Sequence, residues 1–138
     1  MIITIRISGL VNVSKEIGET LHRLRLRRKY SAVLLKQTKE NMKLLSKVRN
    51  YVSYGQVNKE TLLKIIRQRG QPLKKGTKID AEKIISELDK KTLTAVGLKP
   101  FFRLHPPRKG IEAKKHFGIG KGVLGENKKI NELVERML

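Results

Sequence analysis

The sequence predicts an α+β fold: a β-α-β-α-β core over residues 1–57, then a helical and loop-rich extension over residues 58–138. Three observations predict it. Two-residue and 3.6-residue apolar periodicities alternate from the start of the chain to Gly55. The pattern then changes to amphipathic helices separated by basic loops rich in Gly and Pro. A length of 138 residues fits one domain, or one domain with an extension.

Taken in order, Ile2-Ile3-Thr4-Ile5-Arg6-Ile7 alternates Ile with polar residues from position 3, the pattern of a half-buried strand, and Ser8-Gly9 ends it. Ser14 suits the N-cap of a helix whose Ile17, Leu21 and Leu24 share one face. That helix runs out in Leu26-Arg27-Arg28-Lys29, where cations suit the negative end of the helix dipole. Tyr30 to Leu35 is apolar and β-prone, a second strand. Thr38 starts a helix with Met42, Leu45 and Val48 facing one way, and Tyr51-Val52-Ser53-Tyr54 forms a third strand closed by Gly55. Two helices in such a unit can cover one face of a small sheet.

Beyond the core, Asn58 caps a helix through Leu62, Leu63, Ile65 and Ile66, with Gly70 at its C-terminus. A basic loop from Arg69 to Gly76 follows, and Asp80 caps a helix carrying Ala81, Ile84, Ile85 and Leu88 on one stripe. Leu98 to Leu104 has room for a strand that Pro100 confines to an edge or a strand start. Pro106 to Gly125 is twenty residues with two prolines, five glycines and little periodicity, a loop that is either functional or disordered alone. Asn127 then caps a final helix, whose Ile130, Leu133, Val134 and Met137 must dock on something.

Charge dominates the composition: 32 Lys and Arg against 12 Asp and Glu give a formal +20. Like charge at that density repels itself in a compact fold, so a neutralising partner is expected. Nucleic acid is the leading candidate, because each neutralised phosphate releases condensed counterions. Acidic membrane surfaces come second, but no apolar stretch approaches the roughly 20 residues of a spanning helix, and Met1 to Arg6 lacks a signal-peptide layout. With no cysteine there is neither a disulfide framework nor a thiolate zinc site. A soluble cytoplasmic protein is expected. Residues 21–50 hold ten basic residues and one acid, and residues 99–125 hold seven and one, which suggests two contact surfaces.

The densest cluster is Arg23, Arg25, Arg27, Arg28 and Lys29. Dipole capping accounts for part of it, but five cations in seven residues exceed what a cap needs, which favours a phosphate-facing patch. The stretch from Arg103 through His105, Arg108, Lys109, Lys114, Lys115 and His116 to Phe117 has the mixture of an RNA-reading loop. Cations there can meet phosphates and rings can stack on unpaired bases, the other reading being a solvated basic loop. Lys121 extends the same run. Further candidates are Lys43, Lys47 and Arg49 on the second helix, and Arg67, Arg69, Lys74 and Lys75 around the Pro/Gly loop. Tyr51 and Tyr54 read as core or edge packing. Gly120 to Gly125 matches G-x-G-x-x-G by letter, but too few residues follow for a dinucleotide-binding unit. His22, His105 and His116 are sparse and set among cations, so neither a metal site nor general-base chemistry is expected. No cofactor, small-molecule substrate or catalytic residue is predicted.

Ile5-Arg6-Ile7-Ser8-Gly9, followed by the Leu24-to-Lys29 cluster leading into a strand, resembles the core of the large-subunit ribosomal protein family numbered thirty. The runs from Pro100-Phe101-Phe102-Arg103-Leu104 through Pro107-Arg108-Lys109-Gly110 to Ile130–Met137 are similar to its archaeal form and to the eukaryotic counterpart numbered seven. The resemblance implies a small three-stranded antiparallel sheet with helices on one face and a long extension. It also implies a cytoplasmic ribosomal location, binding to 23S rRNA, a position near 5S rRNA, and other large-subunit proteins as neighbours. By position, it marks Arg25, Arg27, Arg28, Arg69, Arg103, Arg108, Lys109, Lys114 and Lys115 as rRNA contacts. The alternative from composition alone is a general DNA-compacting protein, which would bind duplex DNA as tightly as folded RNA.

Overall fold

Strand β1 (Ile2–Arg6) sits between β2 (Ser31–Leu35) and β3 (Val52–Gln56), antiparallel to both, with Ile3 opposite Leu34 on one side and Gly55 on the other. The computed structural model of the protein describes residues 1–138 except 10, 12, 77, 89, 112, 117 and 119–121. All five residues of β1 are buried, so the expectation of a half-buried strand is corrected. Thr4 and Arg6 look solvent-facing by type, but their face is covered too.

The cause is helices on both faces of the sheet, where the resemblance implied one. Helices α1 (Lys15–Arg23) and α2 (Lys39–Val48) bring Leu21, Leu24, Leu45 and Val48 against Ile2, Val33, Val52 and Tyr54. On the opposite face, α3 (Lys59–Arg69), α4 (Ala81–Leu88) and α5 (Ile130–Met137) bring Ile65, Ile66, Ile84, Leu133 and Val134 into one cluster with Ile3, Ile5 and Ile7. The stripe on the last helix thus finds its dock on β3 and α3, within the cluster that covers this second face. Four predicted caps form: Ser14, Thr38, Asn58 and Asp80 accept from the backbone N–H of Ile17, Asn41, Thr61 and Lys83.

The sheet is also larger than three strands. Its order is β4-β2-β1-β3-β6-β5, with β4 (Phe102–Arg103), β5 (Ala113–His116) and β6 (Gly122–Glu126) drawn from the extension. β4 is a two-residue antiparallel edge on β2, as Pro100 demands. β6 runs parallel to β3 and β5 parallel to β6, so the sheet is mixed and much of the expected 106–125 loop is strand. Local sequence hides these strands, because Gly122 and Gly125 lower β-propensity and the pairing comes from distant β3.

Asn127 corrects a further expectation. Helix α5 has Lys129 at its N-cap position with no side-chain cap. Asn127 instead joins the layers: its N–H donates to the Tyr54 carbonyl at 2.7 Å, its Nδ2 to the Ser53 Oγ at 3.2 Å, and its Oδ1 accepts from the Lys129 N–H at 2.8 Å. Gly55 permits this approach. A Cβ there would stand 2.4 Å from the Asn127 carbonyl oxygen and 2.9 Å from the Ile130 Cγ2. Gly70 acts by the same closeness rather than by a left-handed turn: its φ is −62°, and a Cβ would stand 2.4 Å from the Ile66 carbonyl oxygen.

Candidate nucleic-acid interface

The turn from α1 into β2 carries the arginine cluster, and hydrogen bonds fix its shape. The Leu26 N–H donates to the Leu21 carbonyl at 2.9 Å and the Arg25 N–H to that of His22 at 3.0 Å, the two bonds of a Schellman motif. Leu21 and Leu26, the apolar pair that accompanies such a motif, are both fully buried. Arg25 occupies the left-handed position that usually belongs to glycine, at φ 65°.

Arg6 locks this turn from beneath. It is only 3% exposed, and no carboxylate among the described residues pairs with it. Its guanidinium donates to the carbonyls of Leu26 at 2.7 Å, Ser8 at 3.1 Å and Gly9 at 3.2 Å. Desolvation by burial lowers its pKa from the ordinary arginine value, and charge-assisted bonds to carbonyls stand in for a counter-ion. The chain then passes through Tyr30, also left-handed at φ 64°, whose N–H donates to the Arg6 carbonyl at 2.7 Å. Lys29 Nζ lies 5.0 Å from the centre of the Tyr30 ring.

Edge pairing next joins the two basic stretches that the sequence kept apart. Ser31 pairs with Arg103, and the Leu104 N–H donates to the Tyr30 carbonyl at 3.1 Å. Arg25, Arg27, Arg28 and Arg103 therefore surround one concave site of about 440 Å³, with Pro100 and Phe101 in its wall and no carboxylate among the described residues that line it. The Arg103 guanidinium carbon lies 5.6 Å from the Phe101 ring centre, a cation–π pair. Phe101 and the buried Arg6 are the participants that sequence reasoning missed. For Phe101 the available signal was an aromatic residue two positions before a candidate arginine. Arg23 faces a separate groove beside Lys36 and Lys91.

A second basic region forms where the segment after β4 meets the C-terminal end of α5. The N–H groups of His105 and Arg108 donate to the carbonyls of Met137 at 3.1 Å and Arg136 at 2.9 Å. The Arg136 side chain returns a bond to the Gly110 carbonyl at 3.1 Å. Arg108 and exposed Lys109, left-handed at φ 66°, are held there with Arg136, at one end of a groove that Glu132 and Glu135 also enter and that reaches back to Lys129 at the helix N-cap. Cations at this end complement the helix dipole. The two histidines expected to stack on bases are engaged within the protein: the His105 ring contacts the backbone oxygens of Pro106 and Leu138, and His116 Nε2 lies 2.7 Å from Asn50 Oδ1.

The remaining candidates are dispersed. Arg69 ends α3, and Lys74 and Lys75 are exposed on a loop held by Leu73 N–H to Gly97 O at 2.9 Å and Lys99 N–H to Gln71 O at 2.8 Å. Arg49 is exposed at the C-cap of α2. Lys114 and Lys115 lie on β5, their side chains outside the described residues, as are Phe117 and Lys121 altogether. Three ion pairs occur among the described residues, joining Lys47 to Glu16, Lys64 to Glu135 and Arg67 to Glu82. The Arg25–Arg28 group and Arg103 form none of them, so their charge is directed outward. Among the described residues no group of three or more His, Cys, Asp or Glu could hold a metal ion, and no helix is long and apolar enough to cross a membrane.

Comparison with known proteins adds a direct result. The family described as "Ribosomal protein L30p/L7e" matches residues 2–52, from β1 to the start of β3. "Large ribosomal subunit protein uL30" of Methanococcus maripaludis is 35% identical over 152 positions, covering 97% of both chains. The protein of that name from Korarchaeum cryptofilum is 35% identical over 156 positions, covering 100% of this chain and 95% of its own. That from Nanoarchaeum equitans is 35% identical over 150 positions, covering 96% of each.

Proposed function

Because the chain belongs to the ribosomal protein L30p/L7e family in its archaeal form, a family of structural ribosomal proteins and not of enzymes, we propose that it binds 23S rRNA within the large subunit of the cytoplasmic ribosome and lies near 5S rRNA. Residues 1–57 form the rRNA-binding core in this proposal, and residues 58–138 complete the sheet and carry the second set of contacts. Other large-subunit proteins are its neighbours.

The observation that carries the reading is the convergence of Arg25, Arg27, Arg28 and Arg103 on one site with no carboxylate among the described residues that line it. Four guanidiniums held this close repel one another, and a polyanion relieves that repulsion with bidentate phosphate bonds. Arg23, Lys29, Arg49, Arg69, Lys74, Lys75, Arg108, Lys109, Lys114, Lys115 and Lys121 supply further phosphate contacts in this reading. His105 and His116 are anchored through their ring nitrogens and, in this reading, offer their ring faces to RNA.

A binding competition between large-subunit rRNA fragments and duplex DNA of equal charge, at fixed near-physiological salt, tests this. A clear preference for one rRNA fragment is expected. Equal affinity for every polyanion would overturn the reading and leave a general DNA-compacting protein.

A further inference from the structure

We infer that the concavity between the α1–β2 turn and β4 holds one unpaired RNA nucleotide, its base against the Phe101–Arg103 pair and its phosphate among Arg25, Arg27 and Arg28. The inference rests on the rRNA-binding reading above and narrows it to a class of RNA feature.

Three properties of the site point to a nucleotide rather than to a duplex surface. The first is shape. Gripping an A-form helix takes cations spread over an exposed surface, whereas bases are read when unpaired and seated on aromatic rings or guanidinium planes. Among the grooves that the described residues line, this concavity of about 440 Å³ is the one that sets a phenylalanine ring beside arginines. The second is the division of the wall into two chemistries. Phe101 is half-buried and packs against the apolar cluster beneath α1 and α2, and Pro100 stiffens the backbone before it. Arg103 lies against that ring and adds a planar cation. Arg25, Arg27 and Arg28 line the same site together with Ser31 and Thr94, so it offers a ring for a base and guanidiniums and hydroxyls for a phosphate.

The third property is rigidity. The Schellman bonds and the Arg6 clamp fix the backbone that presents Arg25 and Arg27, and the Ser31–Arg103 pairing fixes the distance across to the ring. A preformed site of this kind loses little conformational freedom on binding.

The test uses the full chain and two RNA hairpins of equal length, one with a fully paired stem and one carrying a single extruded 2-aminopurine. Wild-type protein is expected to bind the bulged hairpin about tenfold more tightly and to quench its fluorescence by stacking. Phe101→Leu, which keeps the apolar packing and removes the ring, is expected to abolish that preference, so that the bulged hairpin binds no more tightly than the paired one. Phe101→Tyr is expected to retain it. Arg103→Lys, on an exposed side chain that the core does not need, is expected to weaken the preference with the melting temperature unaltered. Equal wild-type affinity for the two hairpins, or a preference that survives in both Phe101→Leu and Arg103→Lys, would overturn the nucleotide site alone, provided rRNA still outcompetes duplex DNA. Loss of that advantage over DNA would remove the underlying reading as well.

Discussion

Arg25 stands where helix-ending turns place glycine, and the left-handed conformation costs a side-chain-bearing residue of order 1 kcal/mol. Lys109 has the same anomaly in the other basic region, within the turn closed by the Gly110 N–H on the Pro107 carbonyl at 3.0 Å. A cation kept where the backbone prefers glycine is retained for what its side chain does, which is the usual meaning of strain at a binding surface. Arg25→Gly is therefore expected to stabilise the free protein by about 0.5–1 kcal/mol, a rise of about 3 °C in melting temperature, and to weaken rRNA binding severalfold. Calorimetry and a filter-binding titration measure the two effects. A lower melting temperature or unchanged affinity would mean that Arg25 is there for the fold. Arg6 shows the opposite economy: it faces inward and ties Leu26, in the turn that carries other arginines, to Ser8 and Gly9 at the end of β1.

Legibility of the elements follows the distance over which each is specified. The capped helix starts at Ser14, Thr38, Asn58 and Asp80 were readable because a cap and the N–H it binds lie three residues apart. The central strands were readable from their runs of Ile, Val and Tyr. β5 and β6 were not, since nothing near Gly122 or Gly125 announces that Ser53 and Tyr54 will pair there. The arginine cluster was likewise visible as composition, while its meeting with Arg103 depends on a two-residue edge pairing that no local pattern encodes. Asn127 looked like a cap because Asn commonly caps, and tertiary contacts gave it another task. The junction of β3 with α5 is correspondingly sensitive. Gly55→Ala would drive its Cβ into the Asn127 backbone, where no flexible side chain can yield, and should cost about 2–3 kcal/mol. Urea denaturation measures this, and a neutral result would show that α5 can move away freely.

For the molecule as a whole, +20 is a standing internal stress. Exposed like charges are screened within about 10 Å at 0.1 M salt, so raising KCl from about 50 mM to about 500 mM should raise the melting temperature of the free protein by several degrees. A flat or falling profile would show that attractive pairs offset the repulsion, contrary to the three exposed ion pairs seen among the described residues. Neutral osmolytes at matched water activity provide the control. The two-sided cover of β1 bears on how the molecule comes into being. Ile3, Ile5 and Ile7 are synthesised before every helix that buries them, and α3, α4 and α5 begin only at residues 59, 81 and 130. During translation the sheet therefore emerges with one side closed by α1 and α2 and the other still greasy. Contacts so remote in sequence make for slow closure and a long interval of vulnerability to aggregation. The nascent chain thus carries one face of its most apolar strand incompletely covered until its last helix is made.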